Sequence, residues 1–306
     1  MKKIDFHIHV NDPIPIDETV KNIKDMMARC GYDGVGIMSL NYHDAHDFLD
    51  YGCNERALLL REKLPGSYAF AALDHRRDFV EQAKEFMAMG FDGIKMLEGK
   101  PSEYRRYGYG MDDERFEPFF AYAEKEQIPL MIHNNDPAHH WDPDKVTDRM
   151  RERGWFYDET MPSRQWFFDV MENILARHPY LRAALAHAGF YADRLETADR
   201  LLDACPNLRL DLTPALIIFA QFSRQPDAPA FFKKHIDRLT YGTDADNDLT
   251  GPRRELNDKK VRIMKHFYEG SDEEVMTYKT PIISLRLDEK SLAKIYAENA
   301  LAFMKK

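Results

Sequence analysis

Near its start the chain reads DFHIHV, residues 5–10. Asp5, His7 and His9 fall on one side of this alternation; Phe6, Ile8 and Val10 fall on the other. On a β-strand, residues two apart share a face, with Cα atoms ~6.5–7 Å apart. Two imidazoles leaning toward a common point from that separation can share one metal ion, at nitrogen-to-zinc distances of about 2.0–2.1 Å. A pair of histidines on a surface strand is ordinarily just solvated, so the metal reading requires further ligands elsewhere. Three candidates each close a short apolar run: His133 in IPLMIHNN, His187 in ALAHAG and Asp244 in YGTDAD. Any one of these alone reads as a hydrogen-bonded core histidine or a turn aspartate. Their common placement is what argues for chemistry.

That placement depends on the elements around them. Eight short apolar runs punctuate the chain, at 4–10, 34–40, 67–74, 93–99, 128–135, 181–189, 207–214 and 238–246. Between them lie helical patterns such as DETVKNIKDMMARCG, FVEQAKEFMAMG and DRLETADRLLDACP, and SLAKIYAENALAFMKK closes the chain. Many of the runs are continuous rather than alternating, as expected of parallel strands covered on both faces. Eight such units predict an α/β fold, the (β/α)8 TIM barrel, as a single domain over residues 1–306. The rival is an open doubly wound sheet, but NDPIPID follows the first run where a G-x-G-x-x-G phosphate loop would stand. In a barrel, catalytic residues sit at the C-terminal ends of strands, where all these candidates fall. The longest interruptions, 99–115 and 135–163, also follow strands and are expected to shape a substrate pocket.

Composition narrows the partners. The 306 residues carry a net charge of -9, which argues against nucleic acid or an anionic membrane. No apolar run reaches the length of a membrane span, and MKK is followed by charged residues rather than a signal-peptide core. Cys30, Cys53 and Cys205 form no disulfide framework. A cytoplasmic protein acting on a small molecule is the expectation.

Taken together, DFHIHV, GIKM (93–96), IPLMIHNND (128–136), LARHPYLRAALAHAG (175–189), PNLRLDLTP (206–214), YGTDA (241–245) and IYAENALAF (295–303) resemble the amidohydrolase superfamily. The nearest branch is amidohydrolase family 2, which includes aminocarboxymuconate-semialdehyde decarboxylase. The resemblance spans nearly the whole chain and keeps motif order. It implies that His7, His9, His133 and Asp244 bind one divalent metal. Zinc suits that donor set, with manganese, iron or cobalt as alternatives. It implies that His187 sits beside the metal water and the substrate, polarising a carbonyl or stabilising an oxyanion. Asp244 would act as general base and then acid. Lys95 stands where binuclear relatives carry a carbamylated, bridging lysine. Here it is expected to remain a cation holding a substrate carboxylate or an acidic neighbour, with the carbamate as the alternative.

Other residues divide between function and framework. Arg76 and Arg77, after the third run, either capture a carboxylate or belong to a solvated loop. Trp141 either walls the pocket or pins its loop. His139 and His140 are candidate ligands in the same loop, and Asn134 and Asn135 are placed to orient His133. EYRRYGYG (103–110) reads as a lid or a subunit contact, and Arg164, Arg253 and Arg254 have weaker claims. Three functions compete. The first is a metal-dependent hydrolase of a small carboxylate-bearing lactone, amide or related carbonyl compound. The second is a nonoxidative decarboxylase of an aromatic or unsaturated acid. The third is a non-catalytic ligand-binding barrel. A homodimer is expected by resemblance only.

Overall fold

The computed structural model describes residues 1–10, 14–40, 54–214 and 216–305; Cys53 lies outside them. All eight apolar runs contain strands: β1 Ile4–His9, β2 Gly34–Met38, β3 Tyr68–Ala72, β4 Gly93–Gly99, β5 Leu130–Asn134, β6 Ala183–Leu185, β7 Arg209–Asp211 and β8 Leu239–Thr240. They pair in parallel in sequence order from β1 to β8. The ring is drawn together where β8 meets β1. Phe6 donates to the Tyr241 carbonyl at 3.0 Å, His9 to that of Ala245 at 2.7 Å, and Ile8 bridges Ala245 in parallel. This is the expected TIM barrel, with helices around it.

Side-chain alternation sorts the strands into two layers. Ala69 and Ala71, Leu130 and Ile132, and Ala183 and Leu185 pack outward against the helices. The residues between them, Phe70, Met131 and Ala184, pack with Ile4, Phe6 and Met38 in a separate cluster. Ala297, Ala300 and Phe303 of the C-terminal helical segment join that cluster, so it forms the floor of the barrel. Phe6 meets Phe70 and Phe303 edge-on, at ring separations of 5.6 and 6.0 Å. By the same alternation Lys95 lies between two outward residues, Ile94 and Met96, and so points inward above this floor.

One expectation needs correction. Phe6 does not share a face with Ile8 and Val10: it packs in the floor, whereas they join the outer layer. The cause is a bulge in β1. Asp5 pairs with Val35 and Ile8 with Ile37, so three steps of β1 match two of β2. Such an extra residue re-aims the side chains on either side of it. A second register shift falls in β4, between Met96 and Gly99.

The helices use ordinary end signals. Asp78 accepts from the Glu81 amide at the start of Phe79–Met89, and Gly90, with φ 91°, closes that helix. Ser163 caps Arg164–Arg177 in the same way, through the Trp166 amide. Among the described residues no helix is long and apolar enough to cross a membrane.

Candidate active site

His7, His9 and Asp244 converge at the C-terminal end of the barrel, with one ligand atom from each lying within 4.8 Å of the other two. His9 Nε2 is 3.1 Å from Asp244 Oδ1. Asp244 follows β8 in a left-handed conformation, φ 53°, and its amide donates to the His7 carbonyl at 2.9 Å. Gly242 makes this close approach possible, since a Cβ there would stand 2.8 Å from both His7 Cβ and Thr213 Cγ2. From the helix Gly251–Glu269, Lys260 donates to the Asp244 carbonyl at 2.7 Å, with its Nζ 3.8 Å from Oδ2. Burial acts to raise the Asp244 carboxyl, but Lys260 and His9 outweigh it and hold the group well below the usual carboxylate range. The carboxylate is therefore charged at neutral pH, as a cation ligand must be.

His7 is oriented from behind. Its Nδ1 lies 2.7 Å from Asp211 Oδ2, and Lys95 Nζ lies 3.2 Å from its Nε2. A lysine only donates, so Nδ1 carries the proton and Nε2 presents its lone pair to Lys95. Burial, with help from Lys95 and His9, lowers the His7 pKa well below its ordinary value. Burial also raises Asp211 to about 7, against the Thr213 hydrogen bond and Lys95. The contact is thus a hydrogen bond from a neutral imidazole rather than an ion pair. Lys95, fully enclosed, is lowered to about 8 by desolvation, opposed by Asp244 and Asp211. Asp211 was not among the sequence candidates. The signal was present, a lone carboxylate in the apolar run NLRLDLTP.

His133 and His187 form a second group beside the first. Their rings meet edge-to-face at 4.9 Å, and Phe190 covers both. The His187 ring is 6.1 Å from that of His7. His133 Nε2 is 3.3 Å from Asp136 Oδ1, so His133 is not among the three converging ligands. Asp136 is the hub of the loop after β5. It takes Lys100 at 2.9 and 3.0 Å and the Tyr157 hydroxyl at 2.5 Å. Burial works against its ionisation, yet Lys100 and His133 keep its carboxyl well below the ordinary range. Burial and Lys100 lower His133 to about 3.

His187 lies in a turn with consecutive left-handed residues: φ is 55° at His187, 53° at Ala188, 58° at Gly189 and 58° at Phe190. Each non-glycine residue there costs roughly 1–2 kcal/mol. The turn is held by Thr213, whose hydroxyl accepts the His187 amide at 3.1 Å and whose carbonyl faces Nδ1 at 3.2 Å. A carbonyl only accepts, so His187 also carries its proton on Nδ1 and leaves Nε2 as an acceptor. Desolvation lowers His187 to about 4. At neutral pH it is suited to receive a proton or a hydrogen bond.

The remaining candidates make contacts within the framework. Arg76 is exposed and forks onto Asp74, and Arg77 pairs with Glu85. Trp141 donates to the Pro162 carbonyl at 3.2 Å and packs on Tyr157 at 4.6 Å, pinning its loop. His140 is buried 3.7 Å from Asp136, and His139 is half-buried near Tyr278. Asn135 donates to the Arg164 carbonyl, and the buried Asn134 amide has no partner among the described residues. Neither asparagine holds His133; Asp136 does. Arg164 joins the loops after β5 and β6 through the Asp136 and Phe190 carbonyls. The first five residues of EYRRYGYG end a helix, Pro101–Tyr107. Arg253 lies 3.8 Å from Asp248, and Arg254 lies 3.8 Å from Asp258.

Solved structures share this architecture. The chain is similar over 100% of its own length and 100% of the other to a structure described as amidohydrolase II, with TM-score 0.66 and 15% identity. It is similar to 2,6-dihydroxybenzoate decarboxylase bound to 2,6-dihydroxybenzoate, again over 100% of both chains, with TM-score 0.57 and 15% identity. A third similar structure is a probable 2-pyrone-4,6-dicarboxylic acid hydrolase from Acinetobacter baumannii with citric acid bound. It covers 99% of each chain, with TM-score 0.54 and 10% identity. At these identities the likeness speaks for the fold. None of the curated proteins matches the chain. The family model for amidohydrolase, however, matches residues 4–305. The chain belongs to this amidohydrolase family, and the protein is an enzyme of the metal-dependent amidohydrolase superfamily.

Proposed function

We propose that the protein is a hydrolase of a small, carboxylate-bearing lactone, amide or related carbonyl compound. The observation that carries this reading is the convergence of His7, His9 and Asp244 at the barrel mouth, with the Lys95 amine facing them. Two imidazoles and an ionised carboxylate suit a borderline divalent cation, zinc before manganese, iron or cobalt. His7 supports the fit, because its Asp211 contact fixes the proton on Nδ1, and Nε2 would exchange its Lys95 contact for the ion. His133 is proposed as a fourth donor, exchanging its Asp136 contact for the ion. When bound, such an ion acidifies water and polarises a carbonyl.

The chain's own groups would do the rest. Asp244, charged and close to His9 Nε2, takes a proton from the attacking water and delivers it to the leaving group. His187 offers the Nε2 lone pair and orients the water by accepting a hydrogen bond from it, a role that its tautomer favours over donating to an oxyanion. Lys95, the inward-facing cation, holds a substrate carboxylate. Phe190 excludes bulk water from the two histidines.

The test is turnover of a panel of lactones, amides and carboxylic acids in 18O-water. Hydrolysis places one 18O in the product and releases no CO2. Release of CO2 without 18O incorporation would overturn hydrolysis in favour of decarboxylation.

A further inference from the structure

Two histidines from different strand ends share a single support. Thr213, fully buried after β7, places its side chain between them. Its hydroxyl donates to Asp211 Oδ2 at 2.7 Å and accepts the His187 amide at 3.1 Å. Its carbonyl accepts from His187 Nδ1 at 3.2 Å. The same Asp211 oxygen accepts from His7 Nδ1 at 2.7 Å. A hydroxyl has one proton to give, and here that proton is committed to Asp211. The other Asp211 oxygen has a weaker partner, the Thr240 hydroxyl at 3.4 Å.

The contacts form one chain: His7, Asp211, Thr213, His187. Each of the four is buried, with no bulk water to replace a lost partner. The left-handed backbone at His187 adds to the argument. A strained turn persists only where its surroundings over-determine it, and Thr213 supplies two of the bonds that do so.

We propose that Thr213 is a positioning residue that fixes His187 directly and His7 through Asp211, so that both rings turn Nε2 to the same cavity. The proposal rests on the reading of His7 and His187 as working histidines. It implies that the two rings are coupled: a change at the Thr213 hydroxyl reaches His7 through Asp211.

The test uses metal-free, full-length protein labelled with 15N-histidine, with ring nitrogens read by NMR. The two rings are identified by loss of their signals in His7→Ala and His187→Ala. In the wild type both rings show protonated Nδ1 and unprotonated Nε2. Thr213→Val keeps the shape and removes the hydroxyl; it should displace the signals of both rings. Thr213→Ser should restore both. Asp211→Asn should displace His7 strongly and His187 less, and it serves as the independent variant if Thr213→Val does not fold. Movement of only one ring in Thr213→Val, or of His7 alone in Asp211→Asn, would overturn the coupling. Because the readout needs no metal, the relay can fail while metal binding stands, and the reverse also holds.

Discussion

The floor and the mouth of this barrel are built by opposite rules. At the floor, Phe6, Phe70, Met131 and Phe303 pack as apolar side chains within and beneath the barrel. At the mouth, the same strands end in imidazoles and carboxylates, and the chain leaves β5, β6 and β8 through left-handed residues at Asn135, His187 and Asp244. Strain and buried polar groups both cost stability, and both concentrate where the ligand atoms converge. The floor holds the barrel together, and the mouth uses that stability to keep reactive groups in place. The bulge in β1 is the hinge between the two, because it lets one six-residue strand present Phe6 downward and His7 and His9 to the site.

This contrast can be broken by substitutions at either end. The largest effect on stability belongs to the floor. Phe6→Ala removes a fully buried ring and should destabilise by about 3–5 kcal/mol in urea unfolding. Its folded fraction should still bind metal as the wild type does.

The next effect belongs to the mouth and depends on pH. An unfolded histidine takes up its proton near pH 6.5, whereas burial holds His187 to about 4. Between those values the unfolded chain binds more protons, so stability falls as pH drops through this window. In metal-free protein His187→Gln should flatten that acid limb by on the order of 3 kcal/mol. An unchanged slope would place the imidazole in a wetter setting.

A smaller effect sharpens the meaning of strain. Tyr278 and Lys279, at the tip of the Met276–Thr277 and Thr280–Pro281 hairpin, also adopt left-handed backbone, φ 47° and 55°. Lys279→Gly should stabilise the protein by about 1 kcal/mol, read as a rise in Tm, with metal binding unchanged. The comparison site is His9, whose side chain is only 13% exposed. His9→Ala should change stability by about 1 kcal/mol or less while weakening metal binding severely.

Much of this was legible in the sequence, for local reasons. Apolar runs alternating with helical patterns located all eight strands, and the strand-end rule placed His7, His9, His133, His187 and Asp244 at one end of the barrel; Lys95 came only from the family resemblance. The β1 bulge was not legible, because DFHIHV alternates whether or not a residue is inserted against β2. Nor were the partners legible. Asp211 lies 204 positions from His7, and no local period reports such a pairing. The assignment of His133 to Asp136 turns on a loop conformation, and Lys260 reaches Asp244 from a helix whose facing side is set only by packing.

The central claim is that the mouth holds one divalent ion on His7, His9 and Asp244. The direct measurement is metal content per chain by plasma mass spectrometry, after reconstitution and desalting, for the wild type and the His7→Ala, His9→Ala double variant. The account predicts about one equivalent in the wild type and essentially none in the variant. No uptake by the wild type, or equal uptake by both, would contradict it.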